Sequence, residues 1–584
     1  MARPEAPHVG VGDREGLLGW LMLAPSLVYI VLLVGLPFVL AIALSMSSAT
    51  VGNPTVHGFV GLKNFVSVMH SEAFPTALRN SVIETTATLV AILILATAQS
   101  ELLVREFRFK RLVQILFILP WAMPVSLAAV DWLWLLDSQF SPVDWLLRQL
   151  NLLGPGTVWG PAKHLYYYGD EALGIASIVT INVWRLLPIA TIIVLAGRSS
   201  IPQDIFEQAE VDGAGFFRVL FSITIPALLP ILVVAVMFTG LLVYGEMALP
   251  SLTTHGGPGD STQILPYWAY LKGIQGGALG EGAAVAHGGA GAAPGLSQRR
   301  RRAARSQSMT GRLLRRAGLY LGLLLFALFA VFPVLWAVIS AFKEDNDLYD
   351  VANNPFIFND PPTLKHVSYL FTDTNYTIFL WNSLVIGVIV VAITLVLAVP
   401  AAYALARLTG RWGERSGVAV FLVYLIPPPL LFIPLFQLIS LLGVANTIWS
   451  LVLVYPTITV PFCTWLLLGF FKSLPRELEE AAMIDGCSRW GAFVKVALPL
   501  SLPGIAACTV FAFTLSLSDF IYATTFISAT ASRTVSAGVP SELIRGDIYF
   551  WQSLMAAAVI VTIPLAVAYG LLFDRLVKGF QGST

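Results

Sequence analysis

Long apolar runs separated by short polar intervals occupy most of this 584-residue chain. A helix needs about 20 largely apolar residues to cross the hydrocarbon core of a bilayer. Such runs lie near 16–46, 80–104, 112–136, 172–197 and 223–249, and again near 317–342, 380–407, 417–442, 447–471, 496–528 and 551–575. Lipid offers no partner to an unpaired backbone amide, so these runs are read as helices. The polar stretch from Arg3 to Glu15 precedes an apolar run too long for a signal peptide, which reads instead as the first span. Pro120, Pro124, Pro188, Pro427, Pro428, Pro429 and Pro461 fall inside spans and predict kinks or breaks.

Composition agrees with this pattern. Hydrophobic residues make up 57% and charged residues 12%, about half the ~25% typical of soluble domains. With 35 Lys plus Arg against 34 Asp plus Glu, no basic field is available for nucleic acid. Cys463, Cys487 and Cys508 lack the paired spacing of a zinc or redox site and read as small hydrophobes. The loop carrying Arg105, Arg108, Lys110 and Arg111 is basic, as is the one with Arg407, Arg411 and Arg415, while the stretch from Lys343 to Asp373 is acid-rich. The positive-inside rule therefore places the N-terminus and both basic loops in the cytosol.

An internal repeat divides the chain. Glu207-Gln208-Ala209, Asp212-Gly213, Ile223 and Ile225-Pro226 recur as Glu480-Ala481-Ala482, Asp485-Gly486, Val496 and Leu498-Pro499, always 273 positions later (207 to 480, 226 to 499). The same interval links Pro188 to Pro461, Glu246 to Asp519, Gly273 to Gly546 and Ala283 to Ala556. The orientation is tandem rather than inverted. Each repeated segment interrupts two spans on the cytosolic side. Ile205, Phe206 and Ala209, or Leu478, Ala481 and Ala482, give a short helix an apolar stripe, with Glu207 and Glu480 expected near its start, where the dipole favours acids. Gly213 and Gly486 can take the left-handed conformation that ends the helix. A second short amphipathic run follows, Phe216 to Phe221 or Trp490 to Val494.

The pattern E-A-A, three residues, G, nine residues, I-x-L-P resembles the hallmark loop of ABC-importer membrane subunits. The second copy departs only at Val496, the first at Gln208 and Ile225. Softer similarity narrows the family. Gly61-Leu62-Lys63-Asn64-Phe65, Asn80-Ser81, Leu252-Thr253 and Gly256-Gly257-Pro258 resemble the first permease of maltose- and trehalose-type sugar importers. Pro361-Pro362-Thr363-Leu364, Asn382-Ser383, Tyr403-Ala404 with Arg407, and Ile433-Pro434-Leu435 resemble the second.

The resemblance implies an all-α polytopic membrane protein of two related helical permease units, with about 11–12 transmembrane helices in a bacterial or archaeal cell membrane. It also implies two partners, a cytosolic ABC ATPase dimer and an extracytoplasmic solute-binding protein, with a sugar as cargo. In such importers the loop is a coupling helix that docks on the ATPase, which assigns that role to Glu207, Ala209, Asp212 and Gly213 and to Glu480, Ala481, Ala482, Asp485 and Gly486. No G-x-x-x-x-G-K-[ST] sequence is present, so the energy source is expected on another chain. No catalytic residue, metal or cofactor is expected. Ionisable groups within a span are functional candidates, and Tyr244, Glu246, Ser516, Ser518 and Asp519 are the residues read as lining the solute pathway. Importers of polyols, glycerophosphodiesters, polyamines or inorganic anions share the loop, and an ion-coupled secondary transporter is an alternative of another class.

The repeat breaks at one place. Its register holds through Ala286, where His287 to Gly295 replaces the expected sixth span with Gly and Ala, followed by Arg299 to Arg302 and Arg305. The expected division is a first permease over 1–286, a junction over 287–308 and a second permease over 309–584. A natural flexible linker and a frame-shifted join of two coding regions both fit, the abrupt loss of register favouring the second. Five preceding spans would put the Arg cluster outside unless 277–298 also cross, and an inactive fusion is a further reading.

Overall fold

The computed structural model describes residues 15–53, 55–288, 311–410 and 428–581, with scattered positions from 416 to 426. It is helical almost throughout. The first half comprises α1 (Gly16–Ser45) and α2 (Ala73–Leu103), then a bent pair, α3 (Lys110–Ala122) and α4 (Val125–Leu135), and α5 (Glu171–Ser200). These are followed by α6 (Gln203–Val211), α7 (Ile225–Tyr244) and α8 (Leu279–Gly288). The second half comprises α9 (Gly311–Phe342), α10 (Tyr376–Arg407), α11 (Pro428–Leu441) and α12 (Ile448–Ser473). It ends with α13 (Arg476–Ile484), α14 (Leu502–Ser518) and α15 (Trp551–Gln581).

Among the described residues eight helices are long and apolar enough to span unbroken, and two bent pairs bring the number to ten. The one remaining expected span, 417–442, lies partly outside the described residues. Proline explains one bend directly: α3 and α4 meet at 98° around Met123 and Pro124, because the proline ring cannot continue the ladder of the helix before it. Pro188 and Pro461 behave differently. Both sit inside the unbroken helices α5 and α12, and burial on all sides holds those helices together. In α5 and α12, 89% and 83% of the apolar window is buried, which makes them the central pair of the bundle.

The repeat is preserved at the level of single turns. The short helices Gln203–Val211 and Arg476–Ile484, the turns Phe216–Val219 and Arg489–Ala492, and the π-turns Leu220–Thr224 and Phe493–Ala497 each sit 273 positions apart. The first helix of each half crosses to the other half. α1 packs against α10, α11 and α12, and the Tyr29 hydroxyl donates to the Leu453 carbonyl. α9 packs against α2, α3 and α15, with Trp184 Nε1 donating to the Ala330 carbonyl at 3.1 Å. The halves are interleaved rather than merely adjacent.

The ends of α8 and α9 bear on the junction. α8 starts beside the loop that follows α1, with Gly280 N–H bonded to the Ala49 carbonyl. The early part of α9 lies at the opposite end of the bundle, where Gly322 packs on Leu102 near the basic loop, and its last turn meets Trp134, which donates to Ser340 Oγ at 3.1 Å. α8 is described to Gly288, and its counterpart α15 runs from Trp551 to Gln581. Gly579 of α15 lies against the buried Ala507, whereas Val234, the matching position of α7, is half-buried. Residues 289–308, including Arg299–Arg302 and Arg305, lie outside the described residues, as do Arg411, Arg415 and Pro427.

An ion pair closes the loop after α9. Lys343 Nζ lies 2.9 Å from Asp347 Oδ2 with both groups buried, and Asn359 donates to the same carboxylate. Burial alone would raise the Asp347 pKa, but the hydrogen bonds from Lys343 and Asn359 outweigh it and hold the carboxyl below its ordinary value.

Candidate functional site

Two features stand apart from ordinary bundle packing, a pair of short surface helices and a small polar cavity between the halves. Each of these short helices follows a proline in extended conformation, Pro202 or Pro475, which stops the preceding span and starts a new helix at a turn. Each ends in the same motif. Gly213 N–H bonds the Glu210 carbonyl and Ala214 N–H bonds the Ala209 carbonyl; Gly486 and Cys487 repeat this with Met483 and Ala482. The two glycines have φ of 69° and 91°, in the region where an L side chain is strained.

One expectation needs correction. The helices begin at Gln203 and Arg476, so Glu207 and Glu480 fall mid-helix, and the acids in the first turn are Asp204, Glu477 and Glu479. Glu207, Glu480, Asp212 and Asp485 are exposed, Ala482 is half-buried, and Ala209 is buried against the bundle. The outward face carries three apolar pairs in register: Ile205 and Leu478, Val211 and Ile484, Phe217 and Trp490. Val211 and Ile484 are 88% and 87% exposed, far more than a helix on its own bundle requires. A matched pair of apolar faces ringed by carboxylates is a docking surface in its chemistry.

The inner side of each helix is tied to the bundle by a buried charge, and the two ties are built differently. In the second half Glu479 accepts from the Tyr403 hydroxyl at 2.7 Å and from Arg407 Nε at 2.8 Å, and Arg407 also donates to the Leu474 carbonyl. In the first half Arg198 donates to Glu101 at 2.5 Å and lies 3.9 Å over the ring of Phe206. Phe206 and Glu479 are repeat equivalents. The short helix thus contributes an aromatic face to one tie and a carboxylate to the other.

The second feature is a cavity of about 100 Å³ between the halves, lined by Arg185, Glu246, Tyr455, Ser518, Asp519 and Tyr522 among others. Glu246 and Asp519, the repeat-equivalent acids just beyond α7 and α14, face the same space. Arg185 Nη2 donates to Glu246 Oε2 at 2.7 Å, and Glu246 Oε1 caps Ala248 N–H. Asp519 accepts from the Tyr455 hydroxyl at 3.0 Å and from Ala523 N–H. Of the residues read as pathway-lining, Glu246, Ser518 and Asp519 meet here; Tyr244 and Ser516 do not line the cavity. Ser516 instead bonds its own helix at the Ala512 carbonyl. Arg185 was not anticipated, although a lone arginine in the middle of an apolar run is itself a signal. The volume is far below the ~300–1,000 Å³ of ligand pockets.

Comparison with known proteins places this architecture. The chain belongs to the family of binding-protein-dependent transport system inner membrane components, which matches it twice, over residues 87–343 and 395–582. It is thus a tandem of two importer permeases of the ABC class in one multi-pass membrane chain. It is 35% identical over 251 residues to the sulfoquinovosyl glycerol transport system permease SmoH of Agrobacterium fabrum, covering 43% of this chain and 86% of that one. The trehalose/maltose transport system permease MalG of Thermococcus litoralis is 32% identical, covering 46% and 96%. The diacetylchitobiose uptake permease DasC of Streptomyces coelicolor is 31% identical, covering 43% and 89%. A solved bacterial ABC transporter that imports alginate aligns with a TM-score of 0.41 and 19% identity over 46% of this chain and 99% of that one.

Proposed function

We propose that this chain supplies both membrane halves of a sugar importer, driven by a separate pair of ATPase subunits and fed by an extracytoplasmic solute-binding protein. The first permease spans 1–286 and the second 309–584, joined through 287–308. The observation that carries the reading is the matched apolar face on α6 and α13, two copies in one register with Val211 and Ile484 almost fully exposed. The names of the relatives, three of them permeases for sugars or glycosides, support the cargo class.

In this reading ATP binding draws the ATPase pair together, and each subunit carries one coupling helix with it. Glu207 and Glu480 pair with basic groups of the ATPase. Gly213 and Gly486 fix the angle between the coupling helix and the short turn after it. The ties at Phe206 and Glu479 pass that motion to α2, α5, α10 and α12, and Glu246, Ser518 and Asp519 line the passage that opens between the halves. The direct test is co-purification of the chain with its ATPase. Val211→Asp combined with Ile484→Asp places two charges in the apolar interface, and the expected result is loss of the bound ATPase with the permease still folded in the membrane. Retention of stoichiometric ATPase in the double variant would remove the docking role.

A further inference from the structure

The cavity between the halves carries one cation against two carboxylates, Arg185 against Glu246 and Asp519. Arg185 and Glu246 neutralise each other at 2.7 Å and are each 8% exposed. Among the described residues no lysine or arginine forms an ion pair with Asp519; its bonds come from the Tyr455 hydroxyl and the backbone N–H groups of Ala523 and Tyr522. Arg185 Nε is buried and has no hydrogen-bond partner. The constriction therefore offers carboxylate acceptors on both sides of the boundary between the halves and one unused donor.

From this balance we infer that the solute carried is an uncharged or cationic polyhydroxylated molecule, and that anionic sugars are rejected where Glu246 and Asp519 face each other. The inference rests on the sugar-import reading above and names the class within it. A carboxylate is acceptor-only. Sugar hydroxyls and ammonium groups can donate to it, and a hydroxyl oxygen can accept from Arg185 Nε. A uronate or sulfonate brings further acceptors to a cavity already lined by two acids and a single cation. Unlike a missing contact, like-charge repulsion in a poorly solvated passage is an active means of discrimination. Tyr455 and Tyr522 add aromatic surface beside the carboxylates, suited to the apolar faces of a sugar ring.

The test uses the whole importer, chain with ATPase and binding protein, in proteoliposomes. Two labelled disaccharides are compared, identical except that one terminal hydroxymethyl group is oxidised to a carboxylate. The affinity of the binding protein for each is measured first, and both are supplied at saturation, so that the ratio of rates reports the membrane passage. The expected result is uptake of the neutral sugar at least about tenfold faster than the acid. Asp519→Asn, which keeps the shape and removes one of the two acids, is expected to narrow that ratio at least about fivefold by raising uptake of the acid. Glu246→Gln is the second variant, should Asp519→Asn assemble poorly. Equal or faster uptake of the acid by the unaltered chain would overturn the inference while leaving sugar import standing, and so would a ratio that neither substitution moves. Uptake of neither sugar by a complex whose ATPase is active would instead remove the sugar reading, and the inference with it.

Discussion

Gly486→Val is expected to abolish most ATP-driven uptake while leaving the permease assembled in the membrane. Gly486 has a φ of 91°, and a Cβ built there would meet nothing within 4 Å. The defect is therefore backbone strain rather than a clash. A left-handed conformation costs an L-residue about 1–2 kcal/mol, and a β-branched side chain is the poorest choice for it. The loop can relieve that strain by opening the bond from Cys487 N–H to the Ala482 carbonyl. Trp490 would then swing away from Leu478 and Ile484, and the docking face would be split. A shift of 1–2 kcal/mol is about a 5–30-fold change in the population of the docking geometry, so uptake should fall by a similar factor. Gly486→Asn, whose side chain tolerates the left-handed region, should keep most uptake. Gly213→Val should behave like Gly486→Val. Uptake by purified complexes in vesicles, read against ATP hydrolysis by the same samples, separates uncoupling from loss of the ATPase; full uptake in Gly486→Val would contradict this role.

Arg407→Ala should be the most destabilising single change at the cytosolic face. Arg407 and Glu479 side chains are each 4% exposed and pair at 2.8 Å. Removing the arginine takes from the buried carboxylate its 2.8 Å ion pair, and breaking a buried pair in this way costs about 3–5 kcal/mol. The double change Arg407→Met with Glu479→Leu removes both charges and should recover most of that loss. Thermal unfolding of the detergent-solubilised protein checks both. If Arg407→Ala melts with the unaltered chain, Glu479 is not held by this pair. Recovery of stability without recovery of uptake in the double variant is the outcome expected if the tie also transmits motion.

Much of this architecture is written locally and could be read from the chain. The spans are legible because each buries its own backbone polar groups, so hydropathy alone finds them. The coupling helices are legible because proline, acids and glycine mark their ends within a few residues. The ties behind them are not, because Glu101 and Arg198, or Tyr403 and Glu479, meet only after distant helices pack. They are hidden further by the exchange of a carboxylate for a ring at Phe206 and Glu479. The crossing of α1 and α9 into the opposite halves is also a product of packing, with no signal in either helix. Arg185 lay in plain view in an apolar run, but its partner Glu246 is 61 positions away. The break in the repeat's register after Ala286 was visible in the sequence, but the segment that follows it lies outside the described residues.

The central claim is that two permease units lie side by side in the same orientation, each with its coupling helix in the cytosol. Sidedness of Val211 and Ile484 tests it most directly. Cys463 and Cys508 are buried in the bundle, so Cys487→Ser gives a quiet background for Val211→Cys and Ile484→Cys. A membrane-impermeant maleimide should label both positions in inside-out vesicles and neither in right-side-out vesicles. Labelling of Ile484→Cys from the outer face, with Val211→Cys still labelled from within, would mean that the second unit is inverted and would contradict the account.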